Sequence, residues 1–167
     1  RDSLSRYKSA VGPRIATVSF RAEIVGSGTV STAPPMGKYL RACGFTETAE
    51  TAGVVYALTS EDSSVPTLTM GMYNDDVRWL MYGARGNVSF EGAANRIVYA
   101  NFTFTGIYSA FDAVASLTGV SYGTTVPPVF KNASCTLNFG TAYSTGVFSR
   151  WTLDMGNNVV LRENANS

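Results

Sequence analysis

Histidine is absent from this chain, and charged residues make up only 15% of it, against roughly 25% in an average globular domain. Without histidine, the chain lacks the commonest general base of enzymes and the commonest ligand of transition metals. Its 13 basic and 12 acidic residues are scattered and give a net charge of +1. No clustered basic face is visible, which weighs against a stable duplex binder.

Cysteine occurs only as Cys43 and Cys135, too few for a disulfide framework and without metal-ligand spacing. We favour two reduced thiols in a cytosolic protein. A single disulfide bond between them remains an alternative, because the sequence does not give the distance between the two cysteines. No apolar run is long enough to span a bilayer. The chain begins with Arg1 rather than Met, which is consistent with a missing tag, leader or upstream segment, or with an excised piece.

What the sequence does contain is a series of alternating segments separated by tight-turn signals. Gly156–Asn158, Asn74–Asp76 and Gly83–Gly86 are such signals, typical of β-hairpins. Strands are predicted at residues 15–25, 54–59, 67–73, 77–82, 87–92, 96–108, 134–139, 148–155 and 159–163. One short helix is predicted over residues 36–44, where apolar residues recur at helical spacing and Gly44 is a C-terminal stop.

These elements predict a mainly β fold, an antiparallel β-sandwich or barrel flanked by one short α-helix. Residues 1–13 are predicted as an N-terminal arm and residues 14–167 as a single domain. Residues 109–132 show little periodicity, and a connection of this length is usually functional or disordered.

No motif predicts a catalytic, cofactor-binding or metal-ligating residue. Gly26–Gly28 lacks the third glycine and the βα unit of a phosphate-binding turn. Asp75 and Asp76 lack the further oxygen ligands of a calcium loop. The carboxylate pair Glu61 and Asp62 lies in a serine-rich loop, where a solvated surface is the default.

Several segments together point to a family. They are residues 20–29 (FRAEIVGSGT), 32–35 (TAPP), 40–47 (LRACGFTE), 83–90 (GARGNVSF), 102–108 (FTFTGIY) and 153–160 (LDMGNNVV). In this order and spacing, over residues 14–162, the chain resembles the tail tube (major tail) proteins of tailed bacteriophages and prophages.

The resemblance implies a β-sandwich with one flanking helix that assembles with itself into sixfold or pseudo-sixfold rings, which stack into a tube. It implies a virion tail protein assembled in the bacterial host cytoplasm, with no cofactor, no catalysis and no membrane. A tape-measure protein and other tail proteins are the implied partners, and DNA passes non-specifically through the lumen. Longer members of the family continue into a second similar domain, so the chain is a single domain or one half of a two-domain protein.

Two sets of residues become candidate functional sites. The polar sides of two long predicted strands are predicted to line the lumen: Thr17, Ser19, Arg21, Glu23, Asn101, Thr103 and Thr105. Two loops, residues 26–35 and 109–132, are predicted to make contacts between subunits, through Ser27, Thr29, Pro34, Pro35, Tyr122 and Pro127.

Two other classes of function stay open. The chief alternative is a carbohydrate- or ligand-binding β-sandwich module, with Trp79, Tyr82 or Tyr122 as its stacking platform. An enzyme with a carboxylate pair, as in glycosidases, is the third alternative. The ring order, the face that lines the lumen and the presence of a contractile sheath are not determined by the sequence.

Overall fold

A computed structural model of the protein describes Gly12 and residues 14–133, 135–138 and 142–160. Within these residues the elements are β1 (Ile15–Glu23), α1 (Gly37–Ala42), β2 (Phe45–Glu50), β3 (Gly53–Leu58), β4 (Leu68–Asn74), β5 (Val77–Ala93), β6 (Tyr99–Ala113), β7 (Cys135–Asn138), β8 (Ala142–Gly146) and β9 (Arg150–Asp154). Apart from Gly12, the predicted arm lies outside the described residues, as do residues 161–163 of the last predicted strand.

A five-stranded antiparallel sheet organises the chain, in the order β1-β6-β5-β4, and β9 also pairs with β5. β4 pairs with the first half of β5 and β9 with its last residues, so both lie on the side of β5 away from β6. Among the described residues the sheet is therefore open, with β1 at one edge and β4 and β9 sharing the other. The two-stranded sheets β2–β3 and β7–β8 complete a mainly β fold with one short α-helix, as predicted.

The turn predicted at Gly83–Gly86 is wrong, because β5 runs without interruption through this segment. Its pairing with β6 shifts register between Tyr82 and Arg85, where β5 carries one extra residue, and Gly83 has a φ of 60°. A bulge accommodates an extra residue without ending the strand, and glycine tolerates the positive φ. The glycines that resemble a turn in the sequence therefore mark a bulge in a 17-residue strand.

The hairpin predicted around Gly156–Asn158 is also wrong within the described residues. β9 ends at Asp154, and residues 155–160 form no strand. The side-chain amide of Asn157 instead donates to the backbone oxygens of Cys43, at 2.5 Å, and Gly86, at 3.4 Å. The backbone N–H of Met155 also donates to the Val88 carbonyl oxygen at 3.1 Å, so the chain continues along β5 toward its bulge rather than back along β9.

The other predicted elements differ less from those of the structure. The predicted hairpin turn at Asn74–Asp76 is confirmed, since Asp75 and Asp76 have φ values of 47° and 60°, as a type I′ turn requires. β2 and β8 have no predicted counterpart, and β2 carries almost no apolar alternation beyond Phe45. β6 continues to Ala113, so the long connection comprises residues 114–133, with one isolated bridge between Ile97 and Val129.

Aromatic side chains fill the core on one face of the sheet. Phe102 and Phe104 of β6 are fully buried. The ring of Phe20 lies 5.4 Å from that of Phe102, and 5.2 Å, edge to face, from Tyr39 of α1. Such pairs stabilise a core beyond the area they bury.

The helix and the β2–β3 hairpin form the second layer over this face. A six-residue helix is marginal alone, and α1 gains stability by burying Leu40 and the flanking Cys43. Phe45 and Tyr56 pack against the same core, and the Tyr56 hydroxyl donates to Glu47 at 2.6 Å. The helix ends at Ala42, and Gly44, just after the C-cap residue Cys43, has the positive φ of 90° that commonly follows a helix.

Replacing Gly86 by alanine should destabilise the fold, because the added Cβ would lie 2.6 Å from both the Phe104 ring and the Thr103 carbonyl oxygen. Overpacking of this kind costs about 1–3 kcal/mol, measured as a lower free energy of unfolding in urea. Gly123→Ala is the matched control, since no atom lies within 4 Å of its added Cβ. Equal stability of the two variants would contradict the packing described here.

Burial raises the pKa of the Cys43 thiol from 9.0 to about 12. The thiolate is the reactive form, so Cys43 should resist alkylation by iodoacetamide at pH 8 in the folded protein and react once urea unfolds the chain. Mass spectrometry of the tryptic peptide 42–78 measures this directly. Rapid modification of the native thiol would show that this side chain is accessible.

Candidate functional site

The predicted lumen residues lie together on one face of the sheet. In the pairing of β1 with β6, Thr17 stands opposite Thr105, Ser19 opposite Thr103 and Arg21 opposite Asn101. Side chains two residues apart in a strand point to the same face. Glu23, opposite Tyr99, completes the row, so the structure brings the whole predicted set together, while its role in lining a lumen stays a prediction.

The same face continues across β5 and β9, which the sequence prediction missed. Arg85 stands opposite Thr105, Asn87 opposite Thr103, and Ser89 opposite Asn101 on one side and Asp154 on the other. We call the combined set the polar sheet face: Thr17, Ser19, Arg21, Glu23, Arg85, Asn87, Ser89, Glu91, Tyr99, Asn101, Thr103, Thr105, Arg150, Thr152 and Asp154.

A usable signal for the β5 part was present in the sequence. Polar residues at positions 85, 87, 89 and 91 alternate with the apolar Val88 and Phe90, which is the pattern of a half-buried strand. The prediction broke this run at Gly86 and so did not connect it with β6.

Charges on the polar sheet face are balanced and partly paired. Three arginines, at positions 21, 85 and 150, accompany three carboxylates, at positions 23, 91 and 154. Glu91 lies between two guanidinium groups, 3.5 Å from Arg21 and 4.0 Å from Arg150. Arg21 also lies over the Tyr99 ring, 4.2 Å from its centre. A phosphate chain would thus meet no uninterrupted row of cations on this face.

Hydrogen bonds join neighbouring strands within the face. The hydroxyl oxygens of Ser19 and Thr103 are 3.1 Å apart. The Asp154 carboxylate accepts from the Asn87 amide at 2.7 Å and from the Gly156 backbone N–H at 3.0 Å. These two bonds favour the ionised form and hold the pKa of Asp154 below its ordinary value. The Asn87 oxygen accepts in turn from the Asn157 backbone N–H at 3.0 Å.

A cleft of about 650 Å³ lies where the bulge of β5 meets the end of α1 and residues 59–65. Arg85 holds this edge: it binds the Asp62 carboxylate and donates to the backbone oxygens of Asp62, at 3.1 Å, and Val65, at 2.8 Å. Asp62 is the one carboxylate that the described residues contribute to the lining of this cleft. Its neighbour Glu61 accepts from the Ser63 hydroxyl at 3.0 Å.

A second cleft, of about 260 Å³, is lined by Arg21, Glu91, Tyr99 and Arg150 of the polar sheet face and their neighbours. Among the described residues, its lining holds the carboxylate of Glu91 and the guanidinium groups of Arg21, Arg96 and Arg150. Among the residues that the structure describes, neither cleft brings together the two carboxyl groups of a glycosidase, and the glycosidase alternative stays untested.

The candidate stacking aromatics lie apart. Trp79 is 47% exposed and Tyr82 is 43% exposed, but they are three residues apart in β5 and so point to opposite faces of the sheet. The third candidate, Tyr122, lies outside the sheet, in the long connection of residues 114–133. Trp79 stands opposite Met72 on β4 and Phe111 on β6. All three side chains are exposed. They form an apolar row beyond the part of the sheet that α1 covers.

The two predicted contact loops approach each other. A Cβ placed on Gly28 would lie 3.0 Å from the Thr125 hydroxyl oxygen, so residues 26–35 lie beside residues 114–133. Ser27 donates to the Thr29 carbonyl at 2.7 Å, and the Pro34 carbonyl accepts from Gly37 at 2.9 Å. Pro35 and Tyr122 are exposed and Pro127 is half-buried. Contact with another subunit stays a prediction for this set.

Two further observations concern metal binding and membrane spans. Across the part of the chain that the structure describes, no cluster of three or more cysteine, aspartate or glutamate side chains is placed to hold a metal ion. No helix of that part is long and apolar enough to cross a membrane. Asp76, considered above for calcium, accepts from the Ser116 backbone N–H at 3.1 Å.

Comparisons with protein-family models, with curated proteins and with solved structures found no match to this chain. The likeness to tail tube proteins therefore rests on the sequence motifs alone.

Asp154→Asn should flatten the acid dependence of stability. Because folding lowers the pKa of Asp154, its contribution is complete above the ordinary carboxyl value of 3.8 and is lost as pH falls through the lower folded value. Urea unfolding of the parent and the variant between pH 2 and about 6 measures the difference. Asp75→Asn is the matched control, since it removes a carboxylate that none of these groups contacts. If Asp154→Asn retained the steep acid slope of the parent, the assigned hydrogen bonds would be wrong.

Proposed function

We propose that this chain is a structural subunit of a bacteriophage or prophage tail tube. Copies assemble through their sheet edges and loops into stacked rings, and the polar sheet face lines the channel through which DNA passes. Two things support the proposal: the ordered set of motifs in the sequence, and a broad polar face with paired charges.

The polar sheet face is the observation that carries the proposal. A surface that conducts DNA must be hydrated and must not retain phosphates, because each fixed cation–phosphate contact adds to affinity through counterion release. Here Arg21 and Arg150 are near Glu91, and Arg85 is bound to Asp62. Serine, threonine and asparagine cover most of the rest, so the polymer meets hydrogen-bonding groups that water can also satisfy.

Open edges support assembly with identical copies. Within the described part of the chain, β1 and β4 end the sheet on opposite sides, and an unpaired strand edge in a solitary molecule is a template for uncontrolled pairing. A closed ring removes this hazard, since each edge is covered by the next subunit. The exposed row Met72, Trp79 and Phe111 adds apolar area that an adjoining subunit would bury.

Electron microscopy of concentrated protein, with sedimentation velocity on the same sample, tests the proposal. Rings or tubes with a central opening are the expected result. A strictly monomeric protein at high concentration would overturn it. Addition of a candidate tape-measure protein from the same genome should then give tubes of uniform length.

Glu23→Lys should leave assembly intact but make assembled tubes retain DNA. The change adds a cation to the polar sheet face beside Arg21, so the plot of log affinity for duplex DNA against log salt should steepen by about 1. Glu50→Lys makes the same charge change at an exposed position on the β2–β3 hairpin and is the matched control. Equal slopes for the two variants would argue against DNA contact with this face.

A ligand-binding module is the second candidate, favoured by the exposed Trp79 and its neighbour Phe111. Planar aromatic side chains on an open sheet can stack on sugar rings. Calorimetry against a panel of oligosaccharides, with Trp79→Ala as the control, separates the two candidates. Saturable binding by a monomer that Trp79→Ala abolishes would favour the module over the tube.

A further inference from the structure

The cleft of about 260 Å³ at the end of β5 contains more positive than negative charge. Within the described part of the chain, its lining includes one carboxylate, Glu91, and three guanidinium groups: Arg21, Arg96 and Arg150. Glu23 shares the polar sheet face with Arg21, but it does not line the cleft. Because arginine stays protonated at neutral pH, the cations of the lining exceed its carboxylate by two charges. Arg96 thus adds local positive charge beside a face whose charges are otherwise balanced.

Glu91 does not use up the donors of the guanidinium groups beside it. Its two carboxylate oxygens lie 3.5 Å from Arg21 and 4.0 Å from Arg150, whereas a charge-assisted N–H···O bond is about 2.7–2.9 Å long. Arg78, on the same strand as Glu91, shows the contrast, since it donates to the Asp112 carboxylate at 2.8 Å. Arg21 and Arg150 are therefore attracted to Glu91 by charge, while their N–H groups remain available to a ligand.

Two of the three arginines have firm supports. The guanidinium carbon of Arg21 lies 4.2 Å from the centre of the Tyr99 ring, and such stacking orients the guanidinium plane without using its N–H groups. The backbone of Arg96 is anchored, because its N–H donates to the Ala93 carbonyl at 3.1 Å and its carbonyl accepts from the Phe130 N–H at 2.8 Å. Groups held in this way lose less conformational freedom when they bind a ligand.

We propose that this cleft binds a compact tetrahedral anion with two negative charges, of the class of inorganic phosphate or a phosphate monoester. Two charges match the excess of the lining. Three or four free oxygens can accept hydrogen bonds from three guanidinium groups, whose planar forks suit phosphate. The cleft is smaller than the roughly 300–1,000 Å³ of sites for drug-sized ligands, which favours a single small group.

The phosphodiester groups of DNA fit the cleft less well. Each carries one negative charge and two free oxygens, because its other two oxygens are esterified. A diester would therefore leave part of the positive charge unmatched and would offer fewer acceptor oxygens than there are guanidinium groups. The inference goes beyond the proposed function, since the cleft lies within one copy and the anion binds with or without assembly.

Isothermal titration calorimetry of the full chain tests the site. The titrations are made at pH 8, where inorganic phosphate and its monoesters are mostly dianionic, and sodium chloride holds the ionic strength constant. Saturable binding of inorganic phosphate or methyl phosphate, and much weaker binding of the diester dimethyl phosphate, are expected. The tighter of the two dianions distinguishes a site for the free ion from one for a monoester. Failure of both dianions to bind, or equal affinity for dimethyl phosphate, would overturn the inference.

Arg150→Gln should weaken phosphate binding about tenfold, because it removes a charged hydrogen-bond donor. Its side chain is 74% exposed, so the variant should fold, which circular dichroism checks. Arg41→Gln is the matched control, since it removes the same charge from an exposed position on α1 that does not line the cleft. Equal affinity of the two variants for phosphate would contradict the assignment of the anion to this cleft.

Glu91→Gln should have the opposite effect and bind phosphate more tightly, because it removes the one carboxylate that repels the anion. A loss of local structure would weaken binding instead, so the sign of the change separates the two explanations. Glu50→Gln, on the β2–β3 hairpin, is the matched control. No tightening relative to this control would overturn the inference. A monomeric parent protein that binds phosphate would overturn the tube and uphold the anion site.

Discussion

The cross-strand register of β1, β6 and β5 is the constraint on which the rest of the structure depends. A shift of one residue would exchange the two faces of each strand. In the observed register Phe20 stands opposite Phe102, and Phe102 opposite Val88. The aromatic core and the polar sheet face are therefore two consequences of the same pairing, and neither could change alone.

Interactions beside the bulge of β5 join the second layer to this register. Asn157 connects the segment after β9 with the residue after α1 and with the bulge of β5. Arg85, at the same bulge, binds residues 62–65. The bulge turns Arg85 toward that loop while the strand continues, so the irregularity in β5 places the groups that close one side of the core.

The surfaces of the molecule divide by charge. The polar sheet face pairs its charges, while residues 117–126 and the row around Trp79 carry none. A paired, hydrated face suits a sliding contact, because no single phosphate is held. Uncharged, exposed apolar surface suits contacts with protein, because its desolvation costs little. The polar sheet face and the row around Trp79 lie on opposite faces of one sheet, so one subunit presents both kinds of surface.

The local pattern of apolar and polar residues in the sequence determined much of this fold. Alternation over residues 15–25 and 96–108 predicted which side chains share the polar face, and the Asn74–Asp76 turn was evident because its geometry depends on adjacent residues. Helical spacing and Gly44 predicted α1. Only the tertiary structure decided that Gly83–Gly86 is a bulge and that Gly156–Asn158 is not a hairpin. Those outcomes depend on partners distant in sequence: β6 holds the bulged strand in its ladder, and the oxygen of Cys43, 114 residues away, engages Asn157. Short-range periodicity contains no information about such contacts, because the fold alone brings their partners within hydrogen-bond distance.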